Sequence, residues 1–459
     1  MKVETLFNIR TITAFIQLHS SDFEVAKIND TAPPPSTSTS SSLSSDTNNH
    51  NNKLEYKINK CSKFLHDTQK IFENNGYNVQ TVRIATNPFE EWLLSDDDDN
   101  ANEKDFVNND NDDIENNNDV VKDKLQALDK LLDTNGIYFC SLGPSTSNKH
   151  TIKYCPIIVQ SSSKYSCSAN IDEPHDITTS NCIVDCIDTI SKNDSLGNFR
   201  FCAASNCKDF IPFFPAAKCC SINDNNDEDD AFMIRFGLGL ENGKLVYELL
   251  KEAKTIDNLP HVFKDGMLNA LTPLQNICID IEKEQEDNDK YYKTKYLGID
   301  TSINPSLEEK GSIALAIEQL DTISTFGDSG TLAVVSIITS VLQRSLSNIN
   351  LIGYCGVMLP LCEDTRLSAL AKSGHISTIH QLLMISSVCG VGIDTVPIAA
   401  LNTAERKQRL SGLILDVVGI AYKWDKSLSC RVFPLLHYDV GMITNFDSPY
   451  LCNAKVLPI

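Results

Sequence analysis

Apolar and polar positions along this chain switch repeatedly between a helical and a strand pattern. LEYKINKCSKFLHDTQKIFENNG reads as an amphipathic helix stopped at Gly76, and NVQTVRIAT after it is a β-branched strand. NGIYFCSL and AFMIRFGL are strands, the second followed by a helix, ENGKLVYELLKEA. YLGIDTS is a buried strand leading into PSLEEKGSIALAIEQL, where Ser306 and Glu309 have the capping-box spacing of a helix start. Then come helix SGTLAVVSIITSVLQRS, strand NLIGYCGVML, helix HISTIHQLLMISSV, strand GIDTVPI, helix ERKQRLSGLILDVVGIAYKWD and strand LSCRVFPL. Strand–helix alternation at this spacing predicts an α/β fold with a largely parallel sheet and helical crossovers. Ligands of such sheets sit outside the carboxyl ends of the strands, so chemistry is expected there.

Three low-complexity inserts interrupt the pattern: residues 31–52 are Pro/Ser/Asn-rich, and 95–119 and 221–230 are Asp/Asn-rich. None buries enough apolar surface to offset its ordering entropy, so each is expected to be a mobile, disordered loop. A weaker insert of the same kind starts at Ile281. Charge changes the picture only through these inserts. The two acidic ones carry −15 of the net −21, leaving the remainder nearly balanced, with no basic stripe for phosphates. Nucleic acid is therefore not an expected partner. No run of 18 apolar residues and no signal-peptide core is present, which predicts no membrane association and a cytoplasmic location. The 16 cysteines contain no C-x-x-C pair, and the nine histidines no H-x-H or H-E-x-x-H arrangement. Most cysteines thus read as small buried hydrophobes in a reducing compartment.

The strand-end rule selects Asp300, Glu363 and Asp364, and less clearly Asp394 at the start of its own strand. Arg83 and Thr86 lie in TVRIATNPFEEW, near where that strand ends. Four acids and an arginine near one sheet edge suit a divalent cation or a carbon acid. The competing reading is that each acid caps a helix or turn: Asp300 an Asx turn, Glu363 and Asp364 the start of EDTRLSALAKSG. FGDSGTLAVV carries the G-D-S-G string of chymotrypsin-like proteases, but those are all-β, and here the serine precedes a helix. The better reading is a helix N-terminus with Ser329 as cap and the N–H groups of Gly330 and Thr331 open to an anion, or an ordinary tight turn. FFPAAK, Phe213 to Lys218, cannot be a central strand between its prolines and reads as an ordered loop suited to a pocket wall. In SSVCGVGIDTVPI the G-x-G lacks a third glycine and a following helix, so it is a glycine-permitted turn before a strand and not a phosphate loop. That turn can project Cys389 inward, as a nucleophile or a pocket-lining residue, with Asp394 beside it.

TVRIATNPFEE, NFRFCAASN…PFFPAAK, YLGIDTSINPSLEEKGSIALAIEQL, FGDSGTLAVV, GYCGVMLPLCED, SSVCGVGIDTVPI and FDSPYLCNAKVLPI follow one another in order over nearly the whole chain. Together they resemble domain of unknown function 711, also called uncharacterised protein family 0210. The resemblance implies a single domain over residues 1–459: a closed α/β barrel of two five-stranded parallel sheets surrounded by helices, similar to pyruvate formate-lyase and anaerobic ribonucleotide reductase. Glycyl-radical enzymes need a glycine near the C-terminus in an R-V-x-G-type context. This tail offers only Gly441, after YDV, so radical chemistry is not expected.

Two functions from different classes fit these observations. In the first, the protein is an enzyme acting on a small anionic metabolite. Arg83, Thr86, Ser329, Gly330 and Thr331 would bind the anion. Asp300, Glu363, Asp364 and Asp394 would supply acid–base or divalent-metal chemistry, and Cys389 a nucleophile. It expects these residues to converge in one enclosed pocket with a perturbed carboxylate. In the second, the protein is a non-catalytic ligand-binding or interaction protein with a side-chain-filled barrel. A homodimer is compatible with both.

Overall fold

The computed structural model describes residues 3–23, 53–94, 111–146, 149–221, 232–288 and 292–459. Their strands are β1 (Asn8–Ile16), β2 (Val82–Thr86), β3 (Cys140–Ser145), β4 (Tyr165–Asn170), β5 (Phe201–Ser205), β6 (Phe232–Glu241), β7 (Tyr292–Asp300), β8 (Gly392–Ala399) and β9 (Leu428–Leu435). All nine join one sheet in the order β7-β6-β1-β2-β3-β4-β5-β9-β8. β1 to β5 run parallel. β6 and β7 are parallel to each other and antiparallel to β1, and β8 and β9 stand in the same relation to β5.

The helices Lys53–Asn74, Asn111–Thr134, Cys155–Ser161 and Ile177–Asn193 make the crossovers among β1 to β5. The first shows why this sequence folds so. Leu54, Ile58, Cys61, Leu65, Thr68 and Phe72 fall on one buried stripe at three- and four-residue spacing. It ends at Gly76, whose φ of 87° only glycine adopts readily.

Strand alternation then sorts the sheet into two faces. Ile12, Ala14, Val82, Ile84, Phe201 and Ala203 join the large core with the helices. Between them stand Thr11, Thr13, Arg83, Ser141, Ser166 and Cys202, buried but mostly polar. Over this second face lie two irregular segments, residues 207–221 and 353–358, in small apolar clusters that include Cys202, Ile211, Phe213, Tyr354 and Met358. The first segment is pinned to the sheet: Thr13 Oγ1 donates to the Pro212 carbonyl (3.0 Å), Ser141 Oγ to that of Ala217 (2.7 Å), and the Cys219 N–H to that of Thr86 (2.8 Å). Gly239 of β6 leaves room for it, since a Cβ there would stand 2.8 Å from the Phe213 ring.

Several expectations change. The strands form one nine-stranded sheet, not two of five. Residues 350–359 are not a strand, because Gly353 (φ 75°) and Cys355 (φ 48°) break extended geometry. They and Pro360 meet their neighbours through isolated bridges, Ile299 to Leu351, Ile303 to Val357 and Pro360 to Asp394. Ser306 starts no helix. Its N–H donates to the Gly311 carbonyl across a turn, and the helix Ile313–Ile317 begins at Ser312, whose hydroxyl accepts from the Leu315 N–H. The helix Leu259–Asn288 absorbs most of the weaker insert at Ile281, and Asn111–Thr134 absorbs the end of the insert at 95–119. The inserts 31–52, 95–110 and 222–230 lie outside the described residues. Strands β1, β4 and β5 lack a sequence prediction. YSCSAN and FCAAS are too rich in small residues to read as strands alone. No helix among the described residues is long and apolar enough to cross a membrane.

Candidate functional site

A cavity of about 380 Å³ lies against the second face of the sheet. Its strand-borne lining comes from amino-terminal halves, contrary to the strand-end rule: Arg83 and Cys202 are second residues of β2 and β5, Ser166 is second in β4, and Phe139 immediately precedes β3. The rule holds for open sheets with helices on both faces. Here one face carries the loop segments instead, and the cavity forms beneath them. β8 and β9, running the other way, add Asp394, Ser429 and Arg431, and the FFPAAK loop adds Phe213, Phe214, Pro215 and Ala216 as a wall.

Arg83 is the feature that sets the chemistry. It is 7% exposed, and its Nε donates to Thr81 Oγ1 at 2.9 Å. Its Cζ lies over the Phe139 ring at 4.9 Å and over the Phe214 ring at 5.0 Å. Neither terminal nitrogen has a hydrogen-bond or ion-pair partner among the described residues. Burial, aided by the nearby cations Arg10 and Arg431, lowers the guanidinium to about 9, although the Glu363 charge opposes that fall. Rings covering the guanidinium leave its edge open, a geometry that suits an in-plane oxyanion.

Arg431 contrasts with it because its donors are used. Nε binds Asp394 Oδ1 at 2.6 Å, Nη2 binds Glu363 Oε1 at 3.1 Å, and Nη1 donates to the Phe199 carbonyl at 3.1 Å. Its two carboxylates hold the guanidinium above the ordinary arginine range in spite of burial. Glu363 is raised, first by desolvation and also by Asp394, while Arg431 pulls the other way. A carboxyl so placed keeps its proton to higher pH than an ordinary glutamate does.

Asp394 reaches Arg431 through a local irregularity. The pairing of β8 with β9 shifts between Ile393 and Val396, and Thr395 has φ of 43°. A bulge puts two residues where one would fit, so Asp394 turns to the cavity while Ile393 and Val396 both face the helical core. A β-branched residue at positive φ is strained, and strain of this kind is retained where the neighbouring geometry requires it.

The other predicted residues divide as follows. Asp300 does not line the cavity. Its carboxylate accepts from the N–H groups of Ser302 (3.0 Å), Tyr354 (2.9 Å) and Cys355 (3.0 Å) and from Ser302 Oγ (2.6 Å), anchoring the 353–356 turn. Gly353 is required there, since a Cβ would stand 2.1 Å from that carboxylate. Asp364 caps two helices, accepting from the Leu367 N–H at 2.9 Å and the Ile313 N–H at 2.8 Å. Thr86 Oγ1 donates to the Asn87 carbonyl. Ser329 is not the cap of Thr331–Ser340. Gly330 holds that place at φ 102°, the Thr331 hydroxyl accepts from the Gly327 N–H and the Thr331 N–H donates to the Asp328 carbonyl, and none of Ser329, Gly330 and Thr331 lines the cavity. Cys389 is buried and lines a second, more open cavity of about 790 Å³ with Cys355 and Lys426. Gly390 and Gly392 follow from backbone geometry: Gly390 packs on Gly356, and Gly392 has φ of 101°.

The family profile described as "Uncharacterised ACR (DUF711)" matches residues 1–447. The chain belongs to this family. A UPF0210 protein of Actinobacillus pleuropneumoniae is 26% identical over 163 residues, 35% of each chain. One of Bifidobacterium animalis is 27% identical over 163 residues, again 35% of each, and one of Sulfurisphaera tokodaii 28% over 139 residues, 30% of each. The chain thus spans about a third of the length of the curated relatives it matches.

In this DUF711 chain the structure brings together Arg83, Glu363 and Asp394 of the predicted set. Sequence reasoning missed Arg431, Phe139, Phe199, Arg10 and Tyr450, all on the lining. Arg431 did carry a signal: in LSCRVFPL, Ser429 and Arg431 occupy alternate positions of an otherwise apolar strand.

Proposed function

We propose that this protein binds a small organic anion in the Arg83 cavity and acts on it as an enzyme, without radical chemistry. The observation that carries the reading is Arg83 itself, a nine-tenths buried guanidinium on the cavity lining whose two terminal nitrogens have no partner among the described residues. Burying such a charge is unfavourable unless a counter-ion completes it, and a carboxylate or phosphate of the ligand supplies one. Glu363 takes the role of proton donor or acceptor, and Arg431 fixes it while balancing Asp394. Cys202 serves only as lining, because burial holds its thiol well above the ordinary range.

A filled, purely aliphatic interior would favour a non-catalytic protein. The lining instead combines Ser166, Ser429, four arginines and two carboxylates with aromatic walls, which supports the enzymatic reading. The isolated bridges at Leu351, Val357 and Pro360 lie between β7 and β8, the two ends of the sheet, and support closure into a barrel around this cavity. No divalent metal is required by the reading. The test is calorimetric titration of the purified protein with benzoate and with inorganic phosphate. Saturable binding of one of them, lost in Arg83→Met, is expected. Equal binding by wild type and Arg83→Met would overturn it.

A further inference from the structure

The segment that walls the cavity ends in two adjacent cysteines that the proposed reaction does not use. Cys219 is buried against Phe15, Ala85 and Ala217. Cys220 is half-buried. Their sulfurs are 3.9 Å apart, and Gln17 Nε2 stands 3.5 Å from the Cys220 sulfur. We propose that Cys219 and Cys220 form a dithiol redox site that reacts with low-molecular-weight disulfides and closes into a vicinal disulfide.

Three observations support this, and none depends on Arg83. The first is proximity: the sulfurs are already neighbours, and a bond of about 2.0 Å requires an approach of about 2 Å that involves the 219–220 backbone as well as the side chains, because adjacent Cα atoms stand closer than in an ordinary disulfide. The second is access. Among the described residues only Cys182, Cys220 and Cys452 are half-buried, and every other cysteine is buried. The third is reactivity. Cys220 is lowered to about 7, chiefly because the Cys219 thiol donates to its sulfur, with Arg235 assisting against burial and Asp209. Burial raises Cys182 and Cys452 instead. Of the three half-buried thiols, Cys220 is therefore the one with the largest thiolate fraction at neutral pH.

The chemistry balances with one external oxidant. The Cys220 thiolate attacks a sulfur of the disulfide RSSR, forming a mixed disulfide and releasing RS⁻, which takes up a proton. The Cys219 thiol then loses its proton to solvent, attacks the Cys220 sulfur and expels the second RS⁻. Two protein thiols and RSSR become one protein disulfide and two RSH. The eight-membered ring that results includes the 219–220 peptide, next to the Cys219 N–H that holds the wall segment to Thr86.

The test is oxidation of the full chain with glutathione disulfide, followed by peptide mass mapping. A loss of about 2 Da on the peptide holding both cysteines, restored by dithiothreitol, is expected. Cys219→Ser should accumulate the mixed disulfide on Cys220, and Cys220→Ser should leave Cys219 unmodified. The wild-type map stands by itself should a variant fail to fold. An unmodified 219–220 peptide in wild type, or oxidation that falls on Cys182 or Cys452 first, would overturn the proposal.

Discussion

Replacing Arg83 by methionine removes the guanidinium and keeps most of the stem beneath the two rings. Burial holds that guanidinium at about 9, more than three powers of ten below an ordinary arginine, and each power of ten is about 1.4 kcal/mol. The uncompensated charge therefore costs at most about 5 kcal/mol of folding free energy. The Phe139 and Phe214 contacts offset about 1 kcal/mol each, and the bond to Thr81 about 1 more. Without a ligand the balance is still unfavourable, so Arg83→Met should be more stable than wild type by about 1–2 kcal/mol in anion-free buffer, read from urea unfolding. With benzoate at about one hundred times its dissociation constant, wild type should gain about 2.7 kcal/mol and the variant nothing. A variant destabilised by more than about 2 kcal/mol would refute the reasoning, because it would make Arg83 a structural residue.

Other outcomes follow from the same geometry. Asp300→Asn should destabilise by about 2–4 kcal/mol, because one carboxylate holds four donors, yet leave the affinity for the bound anion within about twofold. Asp364→Ala, which uncaps two helices, should lose about 2–3 kcal/mol in denaturant unfolding, again without changing ligand affinity. Glu363 sits above its ordinary value in the folded chain, so the folded state binds the extra proton. Its contribution to stability is present at low pH and is lost as pH rises from the ordinary carboxylate value through the raised one. Glu363→Gln should flatten that decline in a pH series of unfolding curves.

Many long patterned segments were legible in the sequence, although β1 and the helix Leu259–Asn288 were not, and short or unusual ones were not. GIDTVPI carries its strand in plain β-branched composition and LSCRVFPL in an apolar run broken only by Ser429 and Arg431, whereas YSCSAN forms a strand only because its neighbours supply ladder partners. GYCGVML looks like a strand, but the Gly353 turn is shaped around the Asp300 carboxylate, a contact 53 residues away in sequence that no local pattern encodes. The same holds for the site. Arg83, Glu363 and, less clearly, Asp394 were singled out by their places near strand ends. Asp300 and Asp364 stood out in the same way and proved to be a turn anchor and a double cap. Telling those roles apart requires knowing which N–H groups each carboxylate meets, and that is a property of the fold. The strand-end rule misplaced the cavity because a loop, not a helix layer, covers one face of the sheet.

The most direct test of the anion site is a crystal structure of the protein soaked with p-bromobenzoate, with the bromine located by its anomalous scattering. Both carboxylate oxygens are expected within hydrogen-bonding distance of the Arg83 terminal nitrogens, with the bromine among Phe213, Met358 and Val391. An empty cavity at saturating probe, or a probe bound elsewhere while Arg83 pairs with a protein carboxylate, would contradict the anion site.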